Sequence, residues 1–213
     1  SLIKYFRDII NKYLIGLKRK TKKYNTYLDY VNHQLEKTTD KKRIDKWMNE
    51  EWNIKYNGFI DIFQRNMKFI YKCKSAICLG ARTGQEVKAL IDLGIDAYGI
   101  DLKEFPPYTE KGDIHDLAAE SESFDLVFSN ILDHSLFPEL MISEIERILV
   151  PKGILIIHLQ LLVDHDEYTV TRLYNIKKLL KMFKTLKVVA NKNIKNLHDC
   201  MDREIVLEKV SNL

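Results

Sequence analysis

A short apolar segment, a glycine turn and a helical pattern follow one another between residues 75 and 86, and this order constrains the fold most. The segment reads Ser75-Ala-Ile-Cys-Leu-Gly-Ala-Arg-Thr-Gly-Gln-Glu86, and Ala97-Tyr-Gly-Ile-Asp101 follows as a second strand. Gly80 and Gly84 allow the backbone to turn tightly and to approach a ligand where a Cβ atom would clash. Asp101 stands 21 residues after Gly80, close to the spacing of about 20 that places a carboxylate on ribose hydroxyls. The pattern predicts a strand, turn, helix and strand that bind a nucleoside.

The charge of the chain divides near Lys74. Residues 1–74 hold 18 Lys and Arg against 8 Asp and Glu, a net charge of +10, and residues 75–213 hold 16 against 22, a net charge of −6. A chain of 213 residues is long enough to bury one core without disulfides or a structural metal. We therefore expect a basic helical extension over residues 1–74 and a second domain over residues 75–213.

The cysteines and the hydropathy of the chain indicate a compartment. Cys73, Cys78 and Cys200 are an odd set without metal-ligand spacing, which favours free thiols and predicts no metal site. The sequence has no run of about 18 apolar residues and no signal peptide pattern. These features predict a cytoplasmic protein without stable membrane insertion.

Hydrophobic periodicity changes at Ser75. Helical spacing covers residues 2–18, 25–37, 41–53 and 58–72. Strand patterns cover residues 76–80, 97–101, 124–129, 153–159, 185–190 and 203–209, and helical patterns cover 83–93, 137–149 and 170–183. Alternating strands and helices predict an α/β fold with a doubly wound, mostly parallel seven-stranded sheet, and the last two strands predict an antiparallel hairpin.

The glycine turn discriminates between two cofactor classes. Arg82 and Gln85 occupy the second and third glycine positions of a dinucleotide fingerprint, which disfavours NAD. The run Cys78-Leu-Gly80-Ala-Arg82-Thr-Gly84 instead resembles the acid-x-Gly-x-Gly-x-Gly signature of class I S-adenosylmethionine-dependent methyltransferases, which have a Rossmann-like fold. Three later blocks extend the resemblance to about residue 210: Gly112-Asp113-Ile114, the strand block 123–130, and the helix, turn and glycine of residues 145–153.

The resemblance implies S-adenosylmethionine as cofactor, S-adenosylhomocysteine as product, and a set of binding residues. That set comprises Gly80, Ala81, Arg82, Thr83, Gly84, Glu86, Asp101, Leu102, Asp113, Ile114 and Asn130. Asp101 matches the ribose position and Asp113 with Ile114 the adenine position. The family's acid, which helps to hold the methionine ammonium, is replaced by Cys78. Arg82 either pairs with the cofactor carboxylate or braces the loop from outside.

Three polar residues follow strands at the edge where doubly wound sheets bind ligands. Asp133 and His134 come after the fourth strand and His158 closes the fifth, so each is a candidate base for a hydroxyl nucleophile. The structural alternatives are that Asp133 caps a turn, His134 packs against a helix and His158 ends a buried strand.

Other polar motifs have structural explanations. We expect Phe105-Pro-Pro-Tyr108 to form a rigid loop beside the adenosine, and Asp164-His-Asp-Glu167 to cap a helix rather than bind a metal. The extension is expected to close over the pocket, with Asn49-Glu-Glu-Trp52 and Tyr56 as candidate contacts.

Several acceptors remain open at this point. The first hypothesis is O-methylation of a sugar, a glycan or another small polar acceptor, and the chain loosely resembles compact methyltransferases of large DNA viruses, some of which act on glycan sugars. The alternative is cap or tRNA methylation, because the basic residues 1–74 also carry interleaved aromatic residues. A third hypothesis is a cofactor-binding module without activity. Residues 2–17 either pack on the domain or form a membrane-surface or homodimer helix.

Overall fold

The computed structural model describes residues 19–21, 23–161, 166–173, 175–194 and 201–211. The helices are α1 (Tyr27–Thr39), α2 (Lys41–Asp45), α3 (Trp52–Arg65), α4 (Met67–Ile70), α5 (Gln85–Asp92), α6 (Pro138–Ile148) and α7 (Ile176–Leu180), with a π turn at Lys46–Glu50 and a 3-10 turn at Leu132–His134. The strands are β1 (Arg19–Thr21), β2 (Ser75–Leu79), β3 (Asp96–Asp101), β4 (Thr109–Lys111), β5 (Phe124–Ser129), β6 (Leu149–Leu159), β7 (Thr171–Leu173), β8 (Leu186–Asn193) and β9 (Arg203–Lys209). The helix predicted over residues 2–18 lies outside the described residues.

A seven-stranded sheet forms the centre of the molecule, in the order β4-β3-β2-β5-β6-β9-β8. The pairs from β4 to β6 are parallel, and β9 runs antiparallel to both of its neighbours. This arrangement confirms the predicted doubly wound fold and its terminal hairpin. The order turns at β2, since β3 and β5 lie on opposite sides of it, and ligands bind at such a switch point.

Helices cover both faces of the sheet, because side chains alternate between the faces along each buried strand. On one face, Ala76 and Cys78 of β2 pack with α5 and with Phe63 of α3, which is fully buried. On the other face, Ile77 and Leu79 pack with α6. The predicted boundary at residue 74 therefore marks a change of charge, while apolar packing continues across it through α3.

The helix predicted over residues 170–183 is wrong in its first half. Residues Thr171–Leu173 form the short strand β7, which pairs with β1 in an antiparallel ribbon. The β-branched residues 169–171 favour an extended backbone, and Asn175 begins α7 by accepting a hydrogen bond from the amide of Lys178. The helix is thus shorter than its apolar pattern predicts. No helix among the described residues has the length and apolar character needed to cross a bilayer.

Candidate active site

A cavity of about 370 Å³ opens at the carboxyl ends of β2 and β5. Residues 80–83 of the glycine loop line one side of it, and the π turn and α3 of the extension contribute another part of the lining. The lining residues are Lys37, Arg43, Trp47, Glu51, Lys55, Gly58, Phe59, Ile62, Gly80, Ala81, Arg82, Thr83, Gln85, Glu86, Asn130, Ile131, His134, Gln160, Asp166 and Met201. Among the predicted contacts in the extension, Glu51 lines this cavity.

A second cavity of about 70 Å³ adjoins the first on the side of β3. Five residues line both cavities: Lys37, Gly80, Arg82, Ile131 and His134. The smaller cavity is also lined by Tyr30, Gln34, Thr38, Asp101, Leu102, Gly112, Asp113 and Ile114. Ten of the eleven sequence-predicted cofactor residues therefore line one or both of the two adjoining spaces, with Gly80 and Arg82 on the wall of both, and Gly84 lines neither.

The glycines of the loop are required by packing. Gly80 has φ +77°, and a Cβ atom there would lie closer than 3.0 Å to carbon atoms of Ile131. Gly84 has φ +87°, and its Cβ atom would meet Tyr108 in the same way. Protein side chains fill the Cβ direction at both positions, so packing alone requires glycine there, and the backbone of Gly80 still borders both cavities.

Asp101 closes the turn between the glycine loop and β3. Its Oδ2 atom accepts a hydrogen bond from the backbone N–H of Arg82 at 2.9 Å. Burial raises the pKa of Asp101, while the Arg82 guanidinium opposes the rise. Arg82 itself has φ +48°, an uncommon conformation for a residue other than glycine. The Asp101 carboxylate thus holds a strained loop and borders the smaller cavity, where ribose hydroxyls could reach it.

The extension is tied to the glycine loop by polar contacts. The Arg82 guanidinium lies 4.2 Å from the ring centroid of Trp47, in the π turn. Thr83 donates a hydrogen bond to the side chain of Gln85 at 2.8 Å, and Gln85 donates to the Trp47 carbonyl at 3.3 Å. Arg82 therefore braces the glycine loop against the extension, and Arg82 itself lines the cavity.

Glu86 is a buried acid on the wall of the larger cavity. It lies in the first turn of α5 and is 5% exposed. Burial raises the pKa of Glu86 to about 8, against the opposing effects of its own backbone N–H, Arg82 and Lys55. The carboxyl group is therefore mainly protonated at pH 7 in the free protein.

His134 borders both cavities and has a defined tautomer. Its Nδ1 atom lies 3.0 Å from the carbonyl oxygen of Tyr168, which can only accept a hydrogen bond, so Nδ1 carries the proton. Burial lowers the pKa of His134 below its ordinary value, with the nearby Asp133 opposing the shift. The ring is thus neutral at pH 7, and its Nε2 atom has a lone pair that can accept a proton.

Asp133 precedes His134 in the 3-10 turn and is not among the residues that line either cavity. One of its carboxylate oxygens is 3.9 Å from His134 Nε2, and it accepts a hydrogen bond from the Thr169 hydroxyl at 3.3 Å. Its carbonyl accepts from the N–H of Val170 at 2.9 Å. Asp133 therefore connects the 3-10 turn to residues 169 and 170, and its negative charge acts on His134 and Lys37, which both line the cavities.

His158 belongs to a buried ion network instead of the cavity. Its Nε2 atom lies 2.9 Å from Glu204, its ring packs edge-on against Phe128, and its side chain is fully buried. Glu204 also binds Arg65, Asn66 and Lys192. The prediction of His158 as a base is corrected by this position, since neither described cavity includes it. The next polar residue, Gln160, does line the larger cavity.

Both carboxylate oxygens of Asp113 are engaged by the protein. Oδ1 accepts from the backbone N–H of His115 at 2.9 Å and lies 2.8 Å from its ring, and Oδ2 accepts from the hydroxyl of Tyr27. His115 reaches the hydroxyl of Ser135 at 2.8 Å through its other nitrogen. Asp113 therefore holds α1 beside the smaller cavity through Tyr27. The sequence placed Asp113 at the adenine position and did not predict this contact with α1.

Lysine residues of the extension form the part of the site that the sequence did not predict. Lys37 pairs with Asp166 at 2.5 Å, and Lys55 pairs with Glu51 at 2.7 Å. Burial, followed by repulsion from Arg82, lowers the pKa of both lysines. Two ion pairs thus face one cavity, and only the basic composition of residues 1–74 hinted at them.

The remaining polar motifs give no metal centre in the part of the chain that is described, where no three His, Cys, Asp or Glu side chains form a suitable group. Asp166 and Glu167 instead pair with Lys37 and Arg43, while Asp164 and His165 lie outside the described residues. The loop before β4 packs Tyr108 on Gly84, so it braces the glycine loop.

Comparisons with known proteins agree with this geometry. A family model described as a methyltransferase domain matches residues 77–157, from β2 to β6. No curated protein matches the sequence. A Burkholderia thailandensis 1,6-didemethyltoxoflavin-N1-methyltransferase, solved with bound 1,6-didemethyltoxoflavin and S-adenosylhomocysteine, has a TM-score of 0.67 and 14% identity, covering 92% of this chain and 98% of its own.

Two further solved structures are similar. A methyltransferase from Clostridium acetobutylicum that depends on S-adenosylmethionine has a TM-score of 0.59 and 13% identity, covering 79% of this chain and 96% of its own. Another from Archaeoglobus fulgidus has a TM-score of 0.58 and 12% identity, covering 72% and 94%. At these identities the structural likeness establishes the fold.

Proposed function

We propose that this chain, whose residues 77–157 match a methyltransferase domain, transfers a methyl group from S-adenosylmethionine to a hydroxyl of a small polar acceptor such as a sugar. One observation carries the proposal: the neutral imidazole of His134 borders the cavity beside the glycine loop with an unprotonated Nε2. A hydroxyl nucleophile needs a base of this kind at neutral pH.

The residues present fit S-adenosylmethionine. The smaller cavity offers a buried carboxylate, Asp101, to ribose hydroxyls, and the backbone of residues 112–114 beside it. The larger cavity offers Arg82, Glu86 and Asn130 to the charged methionine end. When bound, S-adenosylmethionine would supply a methyl group on a positively charged sulfur, and the neutral thioether S-adenosylhomocysteine would be the leaving group when the methyl carbon bonds to the acceptor oxygen.

The protein contributes a base and a fixed geometry. His134 accepts the hydroxyl proton at Nε2 while its Nδ1 proton stays on the Tyr168 carbonyl. The developing imidazolium lies near Asp133 and Asp166, whose negative charges favour it. General base catalysis of this kind contributes about 10²- to 10⁴-fold, and holding the acceptor in place adds to it.

The lining of the larger cavity supports a polar acceptor. Beyond the cofactor residues, Lys37, Asp166 and Gln160 line the larger cavity together with His134, and they can donate to or accept from hydroxyl groups. Lys37 and Asp166 already pair with each other at 2.5 Å, and hydroxyl groups of a polar acceptor could add hydrogen bonds to this polar lining that an apolar acceptor could not.

RNA is the second candidate acceptor, and one observation favours it. Lys41, Lys42 and Lys46 are exposed on α2 and the π turn, beside Arg43 and Trp47, which line the larger cavity. Exposed cations at a cavity mouth could hold phosphates near the site without sequence preference.

A transfer assay tests the proposal and separates the acceptors. The protein is incubated with S-adenosylmethionine carrying a tritiated methyl group and with either sugars and short oligosaccharides or RNA. We expect label in the sugar pool, and its loss with His134→Gln. Label in RNA, declining steeply with salt, would favour the second candidate. Binding of the cofactor without transfer to either pool would contradict the proposed methyltransferase activity and would favour a cofactor-binding module without activity.

A further inference from the structure

The cofactor's methionine end carries a carboxylate and an ammonium group, and the loop position at which the resembling family places an acid holds Cys78. That thiol is fully buried, and burial with the nearby Glu86 raises its pKa well above the ordinary value. Cys78 therefore supplies no negative charge, and the ammonium group needs another partner. The following inference rests on the proposed function.

Glu86 is the acid whose position suits that group. It lies on the cavity wall two residues after Gly84, so it is next to the loop that receives the cofactor. Glu86 is buried, with only 5% of its surface exposed. Even so, among the described residues its carboxyl group makes no hydrogen bond to another residue and no ion pair within 4.0 Å. Buried acids of native proteins are ordinarily paired, so this carboxyl group is suited to a cationic ligand.

Arg82 supplies the opposite charge on the same wall. Its guanidinium stacks on Trp47 and has no carboxylate within 4.0 Å in the part of the chain that is described. Other charged groups near Glu86 are already engaged: Lys55 pairs with Glu51, and Asp101 accepts from the backbone of Arg82. An acid and a cation thus remain for one zwitterion.

We infer that Glu86 binds the ammonium group of the cofactor's methionine end, while Arg82 binds its carboxylate. Glu86 then takes over the role of the missing acid at position 78. In the free protein the pKa of Glu86 is raised to about 8, mainly by burial, with Arg82 and Lys55 lowering it and Asp101 raising it. A bound ammonium favours the ionised carboxylate, so binding at pH 7 expels the Glu86 proton.

Calorimetry with two probes tests the inference. S-adenosylhomocysteine carries the zwitterion, and 5′-methylthioadenosine has the same nucleoside and thioether without it. Titrations at pH 7 in two buffers of different ionisation enthalpy give the number of protons released. For the wild-type protein we expect close to one proton released with S-adenosylhomocysteine and none with methylthioadenosine.

Variants assign the effect to the two residues. Glu86→Gln keeps the shape of the neutral acid, so it should fold, and we expect at least tenfold weaker binding of S-adenosylhomocysteine with no proton release. Arg82→Met should weaken the same probe at least tenfold. Glu86→Gln should change methylthioadenosine binding less than twofold, and Arg82→Met, whose side chain also lines the smaller cavity, should weaken methylthioadenosine less than it weakens S-adenosylhomocysteine. Glu110→Gln, at an exposed position on β4, is the matched control.

The outcomes separate this inference from the proposed function. Wild-type protein that binds both probes equally well and releases no proton would overturn the inference and leave the cofactor assignment intact. Unchanged binding of S-adenosylhomocysteine by Glu86→Gln would also overturn it. Folded wild-type protein that binds neither probe would contradict both the inference and the proposed function.

Discussion

The Nδ1 atom of His134 lies 3.0 Å from the carbonyl oxygen of Tyr168, and this contact fixes which ring nitrogen can act as a base. The carbonyl belongs to a segment after β6, whereas His134 follows β5. Two separate connections at the same edge of the sheet therefore combine to orient one side chain, and the unprotonated Nε2 is left for the acceptor.

The pH dependence of turnover should report His134. Because burial lowers its pKa below the ordinary value of about 6.5, the ring stays neutral at pH 7, and kcat/KM should fall only at more acidic pH. His134→Gln should lower kcat about 10²- to 10⁴-fold and abolish this acidic limb. A limb that persists in the variant would show that another group is the base. Glu110→Gln, at an exposed position on β4 and outside both cavity linings, is the control.

Glu204 should contribute strongly to stability. It is fully buried and binds His158, Arg65, Asn66 and Lys192. Glu204→Ala leaves buried cationic and polar groups without their partner, so the free energy of unfolding should fall by about 3–5 kcal/mol. Glu208 is on the same strand as Glu204 and pairs at the surface with Lys187 of β8. Glu208→Ala removes only this pair and should cost less than about 1 kcal/mol. Urea denaturation measures both, and equal losses would refute the network.

The same network predicts acid sensitivity. Its hydrogen-bond and ionic partners hold the pKa of Glu204 well below the ordinary value. A depressed pKa stabilises the fold above the unfolded value of about 4.3, and the contribution is lost as the pH falls further. Wild-type stability should therefore decline below about pH 4.5 more steeply than that of Glu204→Gln. Parallel curves for the two proteins would exclude this role.

Two glycines with nearly the same φ angle allow the cost of backbone strain to be measured separately from the cost of a packing clash. Gly80 and Gly94 have φ +77° and +86°, but a Cβ atom at Gly94 meets nothing within 4 Å, whereas at Gly80 it meets Ile131. Gly94→Ala should cost about 1–2 kcal/mol for the left-handed backbone. Gly80→Ala should cost about 1–3 kcal/mol more, and Ile131→Ala should remove that excess in a double-mutant cycle. Equal costs at the two glycines would disprove the packing argument.

Much of the fold follows from local patterns. Strand β5 spans the predicted residues 124–129, and the predicted strand ending at Asp101 and the predicted turn at Gly80 are both present. The sequence also allows one to predict which face of the sheet the His158 side chain lies on. Ile154 and Ile156 share its parity along β6 and face the same buried side. The period of two therefore directs His158 into the core.

The cavity walls depend on tertiary packing that no local pattern encodes. Lys37 and Trp47 reach the site because α1 and the π turn lie across the edge of the sheet. Contacts such as Gln85 to the Trp47 carbonyl set that position, and they join residues 38 positions apart. The charge of residues 1–74 indicates a basic surface but does not identify which lysines face inward.

Calorimetric titration with S-adenosylmethionine tests the central claim most directly, with Asp101→Ala as the decisive variant and Asp96→Ala, at the exposed start of the same strand, as its control. We expect saturable binding by the wild-type protein and by Asp96→Ala. For Asp101→Ala we expect affinity lower by about tenfold or more, since each charged hydrogen bond contributes about 1.5–3 kcal/mol. Circular dichroism confirms that each protein is folded. Absence of binding by folded wild-type protein, or equal affinity in all three proteins, would contradict the account.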